Sequence, residues 1–401
     1  MLGRENIGSG NQRPVGQQKM LRPWTVSFED VQGATCHSRV GSDLFVGSLV
    51  SRIPLPTLTF SVSSGLLYLT DSISGSNFSL QYMGQNHDYL QGRDGPILSQ
   101  NGSALKAGDI THDVTPLKCH SHNDYWRRIP LYEALHCGCI SVEADIWLTD
   151  MRDDSELYVG HSMSSLKQGR TLRSMYIDPL LELLDATNRN NTSDQIKGVF
   201  DTAPAQALIL LIDIKNKPGL SFDALSKHIE PFRARNYLTY HDESALVPGP
   251  LTIVATGSTP YASILAQPPK RRDIFFDAPL DALTPFPIPP TTETDPPRIR
   301  KTPKSFQDYN TTTSLYASAS LRHVLGPNPF PFFFSWSPTS SQLDRIRSAT
   351  AAAHSRGLQV RWWDTPAWPR SKTWLWRFLI GENADVLNVD DLSAAGSWEG
   401  W

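Results

Sequence analysis

From Pro116 onward, short apolar runs alternate with amphipathic stretches, and this rhythm restricts the fold more than any other feature of the chain. It is the pattern of parallel strands joined by crossover helices, in which each helix covers the sheet as it returns the chain. Candidate strands are Leu117 to Ser121, Cys139 to Ile146, Leu208 to Ile214, Leu251 to Ala255, Asp273 to Phe276, Pro331 to Ser335, Leu358 to Trp362 and Asp385 to Val389. Glu156 to Gly160 can add a short extra strand. Helical stretches fit at Pro130 to His136, Pro179 to Ala186, Phe222 to Ala234 and Ser340 to Arg356, the last ending at Gly357 as a helix stop. The expected fold is therefore an α/β chain closed as a (β/α)8 TIM-type barrel, with room for irregularity, over residues 114–401. A proline- and threonine-dense excursion spans 282–304 and can continue neither a helix nor an inner strand.

Ionisable residues recur at the carboxyl ends of these runs, where barrel proteins place their sites. The first strand enters Lys118-Cys-His-Ser-His-Asn-Asp-Tyr-Trp126, with His120, His122, Asn123 and Asp124. The second carries Glu143 and Asp145, two apart and so on one side of a strand. Two acids on the inward face of a buried strand are costly without a cation or a basic partner. The fourth element, Leu208-Ile-Leu-Leu-Ile-Asp-Ile-Lys215, ends in Asp213 and Lys215 with the same spacing, and His161 follows Gly160 after the short extra strand. Together they suggest three carboxylates holding one divalent cation, Mg²⁺ or Ca²⁺, with Lys215 beside a phosphoryl group and two histidines moving protons.

At these residues the chain resembles the phospholipase C-like phosphodiesterase superfamily, which includes glycerophosphodiester phosphodiesterases and the sphingomyelinase D group. Within it the chain is most similar to the fungal "altered inheritance of mitochondria protein 6" family. The resemblance rests on His-Ser-His-Asn-Asp-Tyr-Trp, Val-Glu-Ala-Asp-Ile-Trp, Leu-Tyr-Val-Gly-His, Ile-Asp-Ile-Lys, Phe-Phe-Asp-Ala-Pro-Leu, Arg-Trp-Trp-Asp-Thr-Pro and Val-Leu-Asn-Val-Asp-Asp, between about Pro116 and Leu392. It implies a phosphoric diester hydrolase of lipid metabolism, with His122 and His161 as acid and base. It also implies Glu143, Asp145 and Asp213 as metal ligands, joined by Asn123, and Lys215 and Trp363 as substrate contacts. Asp213 stands where glycerophosphodiesterases usually carry Glu, which weakens that specificity and leaves the metal site intact. Asp277 and Asp364, also at strand ends, are expected to support these groups.

Two other readings compete. One is a non-catalytic barrel that binds a phospholipid headgroup. The other is a zinc amidohydrolase built on His120 and His122, which would need further histidines at later strand ends.

A formal net charge of −3 and 19% charged residues give no footprint for nucleic acid, so phosphate recognition has to be local. The expected partner is a phosphodiester or phospholipid substrate, with peripheral membrane contact allowed; nothing in the sequence sets an oligomeric state. Residues 1–113 are rich in Ser, Gly and Gln and are expected to be low in complexity or weakly structured. The first twenty residues lack the pattern of a signal peptide, and Phe45 to Leu69 is a weak membrane candidate interrupted by Arg52, Pro54 and Pro56. Sequons begin at Asn77, Asn101, Asn190 and Asn310. The cysteines, Cys36, Cys119, Cys137 and Cys139, are expected to be mostly buried thiols.

Overall fold

The structure is a computed structural model. It describes residues 110–149, 156–192, 195–283, 309–326, 338–365 and 369–401, and the backbone of five strands between residues 34 and 80. The chain divides into two compact units, Met1–Asn86 and His87–Trp401. The described backbone of the first forms an antiparallel pair, Ala34–Val40 with Asp43–Leu49, and a three-stranded antiparallel sheet of Leu58–Ser63, Leu66–Asp71 and Asn77–Leu80. The membrane candidate at residues 45–69 thus overlaps strands, and no helix among the described residues is long and apolar enough to cross a membrane. The rest of the expectation for residues 1–113 lies largely outside the described residues.

The second unit is a closed eight-stranded parallel barrel. Its strands are β1 (Leu117–Ser121), β2 (Cys139–Leu148), β3 (Leu208–Ile214), β4 (Leu251–Gly257), β5 (Ile274–Pro279), β6 (Ser314–Ser320), β7 (Gln359–Trp363) and β8 (Val386–Val389). Each pairs in parallel with the next, and β8 pairs with β1 to close the ring. The short extra strand, Leu157–Val159, folds back antiparallel on the end of β2.

Closure explains why the strands read as nearly continuous apolar runs, since both faces are buried. Outward residues such as Val142, Ala144, Leu210, Ile212, Ile253, Val360 and Leu387 join the large core shared with the surrounding helices, where Ile110 also packs. Inward residues Ile209, Leu211, Val254, Phe275, Tyr316 and Val386 form a second, separate apolar cluster that fills the barrel. Toward the carboxyl ends of the strands the same inward face turns polar: Glu143 and Asp145, Asp213, Asp277, Ser318, Arg361 and Asn388. The apolar plug thereby makes the floor on which the polar groups stand.

Helices among the described residues include α1 (Tyr132–Cys137), α2 (Asp178–Asn188), α3 (Pro218–His228), α4 (Tyr261–Leu265), α5 (Leu321–Leu325), α6 (Ser340–His354), α7 (Pro369–Gly381) and α8 (Leu392–Gly396). Helix α6 starts on a capping box, in which Thr339 accepts from the Gln342 N–H and the Gln342 side chain returns the contact. Gly357, at φ +73°, then takes the left-handed turn into β7.

Two expectations change. The segment Pro331 to Ser335 lies outside the described residues, and the sixth place in the barrel belongs to Ser314–Ser320. Cys119 and Cys139 are not thiols but a disulfide between β1 and β2, leaving Cys137 as the free cysteine among the described residues. Both bridged residues lie on adjacent strands with Cα atoms 4.7 Å apart, a separation within the range a disulfide spans.

Candidate active site

Strand alternation projects Glu143 and Asp145 of β2, and Asp213 and Lys215 at the end of β3, into the barrel mouth. Asp145 and Asp213 are direct cross-strand partners. One carboxylate oxygen each from Glu143, Asp145 and Asp213 lies within 4.8 Å of the other two. The Lys215 ammonium closes one side of this group, 2.9 Å from Asp145 Oδ2 and 2.7 Å from Asp213 Oδ2. Burial opposes the lysine charge, but Asp145 and Asp213 outweigh it and hold the amine above its ordinary pKa. Burial and the neighbouring Asp145 charge push Asp213 up to about 6, against the pull of Lys215.

Asp213 approaches a position where only glycine fits. A Cβ on Gly257, at φ +68°, would stand 1.9 Å from Asp213 Oδ1. The glycine therefore serves the backbone and the carboxylate at once.

His122 and His161 stand beside different acids, His122 at Glu143 and His161 at Asp145. His122 Nδ1 is 2.7 Å from Asp390 Oδ1, and its Nε2 is 3.8 Å from Glu143 Oε2. Burial lowers the His122 pKa, but Glu143 and Asp390 outweigh it and the net shift is upward. His161 Nδ1 is 3.5 Å from Asp145 Oδ2, and its ring packs 5.1 Å from that of Trp126. Tyr125 links the two halves: its hydroxyl is 2.7 Å from Asp145 Oδ2, 2.6 Å from Asn123 Oδ1 and 3.1 Å from His161 Nδ1. Burial, then the charge of Asp145, raise the phenol pKa, so Tyr125 stays a donor.

Asn123 takes a left-handed conformation at φ +48°, which asparagine tolerates better than most residues. Its backbone N–H donates to Glu143 Oε2 at 3.0 Å, while its side-chain oxygen faces Tyr125. His120 is fully buried, with Nδ1 2.7 Å from Ser141 Oγ and Nε2 3.6 Å from Glu143 Oε2. Burial, then Arg361, lower its pKa to about 4, so it is neutral at pH 7. Burial likewise opposes the charge of Glu143, yet His122 and His120 keep that carboxyl well below its usual range.

The structure thus gathers His122, His161, Glu143, Asp145, Asp213, Lys215 and Asn123 in one place. Trp363 is 41% exposed at the end of β7, on the inward side by alternation from buried Arg361. Asp277 accepts from Thr256 and Arg361, while Asp364 accepts from Ser320. Among the described residues, the groups of three or more ligand-type side chains gathered within 4.8 Å of one another include neither His120 nor His122.

Sequence reasoning missed the roles of Asp390, Tyr125 and Arg361. Asp390 follows β8 directly, so the strand-end rule that selected Asp213 also reaches it. Arg361 lies two residues before Trp363, and its guanidinium spans the barrel interior to Ser318, Asn388 and Asp277. Nothing local in the sequence links Tyr125 to Asp145, because that contact is made only once β1 and β2 lie side by side.

The acids also pass a test of fit for a cation. Asp145 Oδ1 is buried without a hydrogen-bond partner, in a cluster of three carboxylate oxygens with one ammonium beside it. A hard divalent ion takes such oxygen donors.

Fold and site together define a (β/α)8 barrel with an acidic, histidine-flanked centre at the carboxyl ends of its strands. Residues 108–277 match the family model described as the AIM6-like phosphodiesterase domain. The chain belongs to the altered inheritance of mitochondria protein 6 family. It is 38% identical over 298 residues to the altered inheritance of mitochondria protein 6 homolog of Arthroderma benhamiae, covering 72% of this chain and 85% of that protein. Altered inheritance of mitochondria protein 6 of Eremothecium gossypii is 33% identical, covering 72% of this chain and 71% of its own length. The Saccharomyces cerevisiae protein of the same name is 29% identical, covering 72% of each. No solved structure matches the chain.

Proposed function

We propose that the chain is a phosphoric diester hydrolase that works with one divalent cation, Mg²⁺ or Ca²⁺, at Glu143, Asp145 and Asp213. The observation that carries this reading is the packing of those three carboxylates beside Lys215, with Asp145 Oδ1 buried and unpartnered. When bound, the cation would neutralise phosphoryl charge and orient the diester. Lys215 adds a second positive charge at the same phosphate. Asn123 fixes Glu143 through its N–H, and its side-chain oxygen, which accepts from Tyr125, is the further oxygen ligand of this reading.

His122 and His161 serve as the acid–base pair, one beside Glu143 and the other beside Asp145. Asp390 engages His122 Nδ1, which leaves Nε2 as the proton-transferring nitrogen. One histidine takes a proton from the attacking oxygen, and the other gives one to the leaving oxygen. The attacking oxygen belongs to water or to a neighbouring hydroxyl of the substrate; the second route leaves a cyclic phosphate. Trp363 at the mouth contacts the substrate beyond its phosphate, and a phospholipid is the substrate class favoured by the exposed aromatic rings of Trp126 and Trp363.

The test is phosphodiester turnover by the full chain with and without divalent cation, read beside Glu143→Gln. Cation-dependent turnover that collapses in the variant supports the reading. Equal turnover in chelator overturns it.

A further inference from the structure

We propose that the chain matures in an oxidising, N-glycosylating compartment, where Cys119 and Cys139 become a permanent disulfide and Asn190 receives an N-linked glycan. This stands on features away from the acidic site and does not rest on the proposed reaction.

The first observation is the bridge itself. Cys119 and Cys139 are both fully buried, facing the outer core rather than the barrel mouth. Disulfides of this kind persist where the surroundings are oxidising, whereas reducing compartments keep thiols reduced. Burial then shields the bridge from soluble thiols. Among the described residues, Cys137 is the nearby sulfur that could reshuffle it, since the three sulfurs lie within 4.8 Å of one another. Its thiol is tied up, donating to the Leu392 carbonyl at 3.2 Å, and burial pushes its pKa up, so little of it is the attacking thiolate. Forming the bridge removes two protons and two electrons from the two thiols. A disulfide-carrying thiol oxidoreductase of that compartment accepts them.

The second observation is independent of the first. Asn190 and Thr192 of the sequon Asn190-Asn191-Thr192 are both exposed in the turn that follows α2. Barrel helices run opposite to their strands, so this turn lies at the amino-terminal end of the barrel, away from the acidic site. A glycan there would leave the mouth open. The adjacent candidate is held by the fold: Asn191 Nδ2 donates to the Gln195 carbonyl at 2.7 Å. In the transfer, Asn190 Nδ2 bonds to the anomeric carbon of an oligosaccharide activated as its lipid diphosphate. The amide nitrogen loses one proton and the lipid diphosphate leaves.

The test isolates the full chain from the cells that make it, with free thiols alkylated at lysis. Peptides are mapped by mass spectrometry before and after glycosidase release of N-glycans in ¹⁸O water. The expected result is a linked Cys119–Cys139 peptide free of alkylation and conversion of Asn190 to ¹⁸O-labelled Asp, lost in Thr192→Ala. Alkylated Cys119 and Cys139 overturn the proposal. So does an unmodified Asn190 in a chain whose bridge has formed.

Discussion

His122 Nδ1 lies 2.7 Å from Asp390 Oδ1, joining a residue after the first barrel strand to one after the last. That contact orients the imidazole so that Nε2 faces Glu143. It is also one of the charges that raise the His122 pKa. Asp390→Asn removes the charge and keeps the shape. The pH–rate limb that belongs to His122 is then expected to move to lower pH, with kcat reduced about 10-fold or more and KM little changed. A profile that keeps its limb while losing rate would assign Asp390 a structural role only.

Replacing either flanking histidine is expected to lower turnover by roughly 10² to 10⁴ while cation binding survives, as befits a proton-transfer group. Calorimetric titration of His122→Ala and His161→Ala beside their rates checks both halves of the statement.

Asp213 sets a pH dependence for cation binding. Its pKa in the folded, cation-free protein is about 6, above the ordinary value of 3.8. The sign for stability follows: a raised folded pKa means that the stabilisation from protonating Asp213 is fully present below 3.8 and is lost as pH rises through about 6. The cation needs the carboxylate and works in the opposite sense. Below about pH 6 its affinity is expected to fall by up to about tenfold per unit, and above pH 7 to level off for this group. Titrations between pH 5 and 8 read this directly.

Gly257→Ala tests how closely Asp213 is held. The added methyl would meet Asp213 Oδ1, so the carboxylate has to move. Cation affinity is expected to drop on the order of 10- to 100-fold with the barrel still folded. Unchanged affinity would mean that Asp213 is not part of the cation site.

The bridge between β1 and β2 should contribute to stability. It closes a loop with a sequence separation of 20, for which chain-entropy reasoning gives about 2 to 4 kcal/mol. Denaturant unfolding of the double Cys119→Ser, Cys139→Ser variant measures the loss.

How far the molecule could be read from its sequence depended on whether a signal was local. Leu208–Ile214 matches its expected strand end to end, because a run of apolar residues buried on both faces has few alternatives. Ser314–Ser320 escaped for the opposite reason. Its inward side is Ser314, Tyr316, Ser318 and Ser320, and two of its three outward residues are alanine, so no apolar run marks it. Glu143, Asp145, Asp213 and Lys215 were legible because spacing by two at strand ends fixes a shared face. Asp390, Tyr125 and Arg361 act between strands: Asp390 reaches His122 because β8 closes on β1, Tyr125 reaches Asp145 because β1 and β2 pair, and Arg361 bonds groups of β5, β6 and β8. The Cys119–Cys139 pairing was equally hidden, since two cysteines 20 residues apart become neighbours only once β1 and β2 lie side by side.

The measurement that bears most directly on the central claim is turnover of a panel of lysophospholipids, sphingomyelin and glycerophosphodiesters by the purified full chain. It is run with Mg²⁺, with Ca²⁺ and with chelator, beside Asp145→Asn. The account predicts phosphodiester cleavage of at least one member that requires cation and falls by several hundredfold or more in the variant. A folded, cation-binding chain that cleaves none of them, or one that cleaves equally well in chelator, would contradict it.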